Sequence, residues 1–196
     1  MSLPPLPQPG VPLINGFIAR KPETFFMQEE KILTFKDDFL VSFASGQEFL
    51  KVSRLNRKEI SFRTIKGQEV MRIMKQKHSF SGRGSEYRGV RPDGTEAFYL
   101  KLERGLIRTG YDLTAYPSPN QRLPMPIEKG VMGKSAAVML NGQPAVTFKD
   151  GSDWKHARSQ CHIDVAPGMD IILAIAVNWI RYDKKVEDRK AVAAAT

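Results

Sequence analysis

Cysteine is nearly absent from this chain of 196 residues: Cys161 stands alone, so no intramolecular disulfide can form. Disulfides belong to oxidising compartments, and a reducing, cytoplasmic setting is therefore expected. Histidine is almost as scarce. His78, His156 and His162, taken with Cys161, show no HExxH or CxxC spacing, so no metal site is expected. Cys161 and His162 are adjacent, which on a strand sends them to opposite faces and excludes a nucleophile and base pair. Long hydrophobic runs are missing too. The longest, Ile171 to Ile180, reaches about 15 Å as a helix against the roughly 30 Å of a bilayer core, so no transmembrane span is expected. The start MSLPPLPQPG has no basic and apolar leader, Ser2 excludes N-myristoylation there, and AAAT is no prenylation box. Acidic residues are in deficit, 21 against 30 Lys and Arg, and the net charge of +9 favours anionic partners.

Motifs of catalysis and nucleotide binding are lacking as well. Gly133-Lys134-Ser135 resembles the end of a P-loop, but Glu128 occupies the place of its first glycine and Pro124 and Pro126 stand where a strand should lead in. Gly82-Arg83-Gly84 has Tyr87 in place of the third glycine of a dinucleotide fingerprint. Asp37-Asp38 reads as turn chemistry at a strand entrance. No Gly-x-Ser-x-Gly elbow occurs. The chain is accordingly read as a non-enzyme, with no catalytic residue and no cofactor.

What is present is strand and turn. Residues 1–16 carry five prolines and read as a flexible tail, whose Pro4 to Pro7 spacing also suits a proline-binding module. Beyond it, Phe39, Val41 and Phe43 alternate with Leu40 and Ser42, and Phe98, Leu100 and Leu102 with Tyr99 and Lys101, at the period of a strand. FASGQEFLKV, TIKGQEVMRI, RPDGTEAFYL and MLNGQPAVTF each place a glycine (Gly46, Gly67, Gly94, Gly142) between two apolar arms. Asp93-Gly94 and Asn141-Gly142 are the dipeptides that favour a type I′ hairpin, with positive φ at both residues. Such a meander removes its edges by closing into a barrel.

After the turn at Pro167-Gly168 the period changes. Asp170 stands where its charge suits a helix start, and Ile171, Ile172, Leu173, Ile175, Val177, Asn178 and Trp179 make a helix apolar on every side. Such a helix must be buried all round. The expected fold is mainly β, a closed antiparallel barrel over residues 17–185 around a central helix at about 168–182, with residues 186–196 as a tail. Asn178, the one amide in that helix, needs a barrel-wall partner or a position at the mouth, and the Trp179 indole N–H needs a polar group to reach.

The tract His162-Ile163-Asp164-Val165-Ala166-Pro167-Gly168-Met169-Asp170, running on through Ala176, is similar to the closing segment of LURP-one-related proteins. The hairpins Asp38 to Val52 and Ile65 to Arg72 also resemble that family, and the likeness spans roughly residues 20–185. It implies the fold shared by the tubby C-terminal domain and the phospholipid scramblases, a twelve-stranded barrel around a hydrophobic helix, with membrane-proximal roles. The calcium-binding acidic stretch of scramblases is not matched, because Lys155, His156 and Arg158 are interleaved with Asp150 and Asp153.

Lys75, Lys77, Arg83 and Arg88 form the richest basic cluster, and Lys75 and Lys77, two apart, share a strand face. They read either as a solvated face or as an anion and lipid-binding patch. The leading expectation is a binding module for anionic, phosphoinositide-like headgroups, cytoplasmic and peripheral to a membrane. A protein-interaction scaffold is the alternative. Nucleic acid comes third, for want of a recognition helix or stacking platform.

Overall fold

The computed structural model describes residues 2–30, 38–78, 84–104, 109–129, 135–151 and 160–193. Its first strands are β1 (Glu23–Glu30), β2 (Asp38–Phe43), β3 (Glu48–Arg54), β4 (Glu59–Thr64) and β5 (Glu69–Gln76). β6 (Glu86–Val90), β7 (Glu96–Arg104), β8 (Thr109–Ser118) and β9 (Gln121–Pro124) follow. β10 (Ile127–Lys129), β11 (Ser135–Leu140), β12 (Gln143–Asp150) and β13 (Gln160–Val165) lead into α1 (Ile171–Ala193). The thirteen described strands form one antiparallel sheet in the order β10-β11-β12-β13-β1-β2-β3-β4-β5-β6-β7-β8-β9. Neighbours in sequence pair except β9 and β10, and β13 joins β1, with Phe25 opposite Ile163.

The two ends of that order are consecutive stretches of chain. Only Met125 and Pro126 separate β9 from β10; Met125 N–H donates to Leu113 O on β8 at 2.9 Å, and Pro126 O accepts from Met139 N–H on β11 at 2.8 Å. The expected turns are in place with one difference. Asn141 (φ 50) and Gly142 (φ 77) both take positive φ, as a type I′ turn requires, whereas at Asp93-Gly94 only Gly94 does. There the Asp93 carboxylate accepts from Thr95 N–H at 2.9 Å and fixes a longer loop.

Along β2 to β5 the inward positions Phe39, Val41, Leu50, Val52, Ile60, Phe62, Met71 and Ile73 are almost wholly buried. The first ten residues of α1 are buried without exception, so they have no solvent face. Burial of each large side chain among them is worth about 1.5–3 kcal/mol. The helix outruns its apolar run and continues to Ala193 instead of ending near residue 182. Residues 183–193 are rich in Lys, Glu, Arg and Ala, good helix formers, and they carry the helix as far as Ala193 into the stretch expected as a tail.

The N-terminal segment also departs from expectation. Leu6, Val11, Leu13 and Ile14 are buried, Leu6 N–H donates to Pro167 O at 2.9 Å, and Val11 N–H donates to Gly168 O at 2.8 Å. Gly10 is needed there, since a Cβ on it lies 2.3 Å from the Gly168 carbonyl oxygen. Proline composition reads as a flexible tail, but the apolar residues between the prolines have partners across the fold. The segment covers the end of the sheet where α1 begins, and the far half of α1 emerges at the other end.

Candidate anion-binding cleft

Where α1 emerges, a cleft of about 1230 Å³ opens between the helix and strands β3 to β6. Arg54 ends β3, Arg57 and Lys58 lie in the turn that follows, and Lys75 and Lys77 come from β5 and just beyond. Arg88 is on β6 and Lys190 on α1. Against these seven basic residues the lining holds three acidic ones, Glu86, Asp183 and Glu187.

The floor is an ion network that ties helix to sheet. Asp183 is buried and accepts from Lys75 Nζ, from Arg54 at 2.8 Å and from the Tyr87 hydroxyl at 2.9 Å. Burial works to raise its pKa, but the Lys75 ammonium beside it and these hydrogen bonds hold it below the ordinary carboxylate value. Burial and the Asp183 charge push the Tyr87 phenol far up, so it stays a donor. Lys75 Nζ also donates to Glu187 Oε1 at 2.7 Å, and Lys77 Nζ reaches the same oxygen at 2.5 Å. Glu187 too ends below its ordinary value: burial raises it, and the bonds from Lys75 and Lys77 outweigh that.

The sequence-predicted residues divide. Lys75 and Lys77 share a face and a partner, but the Lys75 side chain is only 2% exposed and its charge is matched by two carboxylates. Lys77 is 60% exposed. Arg88 stacks over the Tyr99 ring at 5.7 Å. Arg83 lies outside the described residues, as do Asp37, Gly82, Gly133, Lys134 and the stretch from Asp153 to Arg158. Arg54, Arg57, Lys58 and Lys190 were missed. The Arg57-Lys58 doublet in a turn was the one signal that pointed to them.

A family profile described as LURP-one-related matches residues 23–180, most of the chain. This chain belongs to the LURP-one-related family. A solved X-ray structure of an Arabidopsis thaliana protein shares its fold, with a TM-score of 0.64 at 12% identity over 90% of this chain and 99% of that one. No curated protein matches it.

In this LURP-one-related chain a second, smaller cavity of about 180 Å³ lies between α1 and β13. The Asn178 carboxamide there finds sulfur and a guanidinium instead of a wall carbonyl. Its Oδ1 accepts from Cys161 Sγ at 3.0 Å and from Arg181 at 3.2 Å, and its Nδ2 lies 3.6 Å from Met27 Sδ. Burial pushes the Cys161 thiol up to about 11, so it is no thiolate at neutral pH. The Trp179 indole N–H has no hydrogen-bond partner among the described residues, and its ring instead faces the Arg54 guanidinium at 5.4 Å. Among the described residues no three His, Cys, Asp or Glu side chains gather as a metal site. No described helix is long and apolar enough to cross a membrane.

Proposed function

We propose that this LURP-one-related chain is a non-enzymatic module that binds anionic, phosphate-bearing lipid headgroups in the cleft around α1, at the cytoplasmic surface of a membrane. The observation that carries this reading is the charge left over in the cleft once its own ion pairs are made. Asp183 and Glu187 are matched by Lys75, Arg54 and Lys77, while Arg57, Lys58 and Lys190 have no acidic partner among the described residues. With Arg88 they supply four cations, each worth about 1 kcal/mol near an anionic leaflet, together roughly a thousandfold in affinity.

The apolar surface supports the same orientation. Of the four large hydrophobic residues exposed among the described residues, Met74 lines the cleft and Leu55 lies in sequence between the lining residues Arg54 and Arg57. Cations flanked by exposed apolar side chains suit an interface of headgroups over acyl chains. We propose too that the sheet closes on itself as a tubby-like barrel through the continuous segment β9 to β10, which counted as one strand makes twelve.

The test is co-sedimentation with neutral, phosphatidylserine and phosphoinositide vesicles at low and physiological salt, with duplex DNA as competitor. Binding to phosphoinositide vesicles that survives physiological salt and resists DNA is the expected result, and Arg57→Ala with Lys58→Ala should lower it about tenfold or more. Binding abolished by physiological salt, or transferred to DNA, would overturn the headgroup reading.

A further inference from the structure

We infer that Glu187 is the resident anion of the cleft, a carboxylate that an incoming phosphate must displace from Lys77. The inference rests on the headgroup reading and adds what holds Lys77 before a ligand arrives.

Asp183, Glu187 and Lys190 follow one another at helical spacings of four and three, so they form one stripe of α1, and all three line the cleft. Their situations differ. Asp183 is enclosed by Lys75, Arg54 and Tyr87 and is fixed in the floor. Glu86, the other acidic side chain of the lining, lies 3.1 Å from His78 and accepts from the Tyr99 hydroxyl, and among the described residues it makes no ion pair with Lys75 or Lys77. Glu187 alone stands between the buried floor and the exposed cations, at 19% exposure, with Lys75 on the inner side and Lys77 on the outer.

That position makes exchange inexpensive. If Lys77 leaves for a phosphate oxygen, Glu187 keeps its 2.7 Å bond to Lys75, so no buried charge is orphaned. The bond given up is to a lysine 60% exposed, and ion pairs of such groups are weak. A phosphate offers Lys77 a doubly charged partner that Arg57, Lys58 and Lys190 can share. The carboxylate therefore lowers affinity for anions and selects those with enough charge to replace it.

Glu187→Gln keeps the size and the acceptor for Lys75 while removing the competing charge. Titrations of wild type and variant with soluble inositol trisphosphate, and with phosphatidylcholine vesicles carrying a phosphoinositide bisphosphate, should show tightening of about three- to tenfold on both probes. In a Lys77→Ala background the same change should have no effect, because there is nothing left to release. Tightening that persists without Lys77 means that Glu187 acts by general charge, and overturns displacement. Tightening on vesicles alone does the same, since it locates the effect at the membrane surface and not in the cleft. A wild type that binds while Glu187→Gln binds no better overturns this inference and leaves the headgroup reading standing. If neither protein binds either probe, the headgroup reading falls and the inference falls with it.

Discussion

Three backbone N–H groups converge on the carboxylate of Asp170. Leu173 donates to Oδ1 at 2.9 Å as in a helix cap, and Leu13 and Ile14 donate to Oδ2 at 3.1 and 2.7 Å from the N-terminal segment. One side chain thus caps α1 and fastens the chain's start to it. Asp170→Ala leaves all three donors buried without an acceptor, and we expect a loss of about 2–4 kcal/mol in urea unfolding. A loss below about 1 kcal/mol would show that the segment is held without it. Asp170 is fully buried, and burial pushes its carboxyl up to about 6 despite the N–H groups that pull it down. A folded pKa above the unfolded 3.8 makes this group's contribution fullest below 3.8 and loses it as pH rises through about 6. The margin of wild type over Asp170→Asn should therefore narrow as pH is raised across that window. Asp183 and Glu187, held below their ordinary values, act in the opposite sense and lose their contribution in acid.

At the scale of elements, the strands and their turns were largely legible because a hairpin is a local object. Gly46, Gly67, Gly94 and Gly142 all take positive φ where the sequence placed turns. The all-round apolar character of residues 171–180 likewise marked α1 as buried. The illegible parts depend on partners far along the chain. Leu13 and Ile14 meet Asp170 across 157 and 156 residues, and nothing in a proline-rich stretch announces that meeting. Deleting residues 1–14 strips Asp170 of two donors and uncovers the start of α1, so we expect a clearly lower thermal midpoint; a midpoint equal to wild type would make the segment an ornament. The cleft divides in the same way. The two-residue spacing of Lys75 and Lys77 put them on one face, but Lys75 owes its burial to Asp183 and Glu187, 108 and 112 residues away. Charge density alone cannot tell a lysine that awaits a ligand from one already matched.

At the scale of the molecule, the two ends of the sheet differ. One is covered by the N-terminal segment, which Arg91 grips through Leu13 O at 2.8 Å, and the other carries the basic cleft. On the headgroup reading proposed above, the second end is the one that faces the bilayer. Leu55, 39% exposed beside Arg54 and Arg57, should enter the interface while the cleft takes the headgroup. Leu55→Ser is expected to weaken vesicle binding several-fold while leaving soluble inositol trisphosphate binding unchanged, as titration of both probes would show. Equal losses on both would make Leu55 part of the cleft itself.

The order of the elements also bears on how the protein is made. A ribosome delivers the thirteen described strands before α1, whose apolar side chains pack into the core with theirs, and β1 waits for β13 as its neighbour. Until then the growing polypeptide carries a long run of half-paired apolar strands with nothing to close upon. Contacts of such high sequence separation fold slowly and leave sticky intermediates. Nascent chains of this protein should therefore engage chaperones heavily, and any arrest of translation ahead of residue 171 should yield an aggregate instead of a smaller folded product.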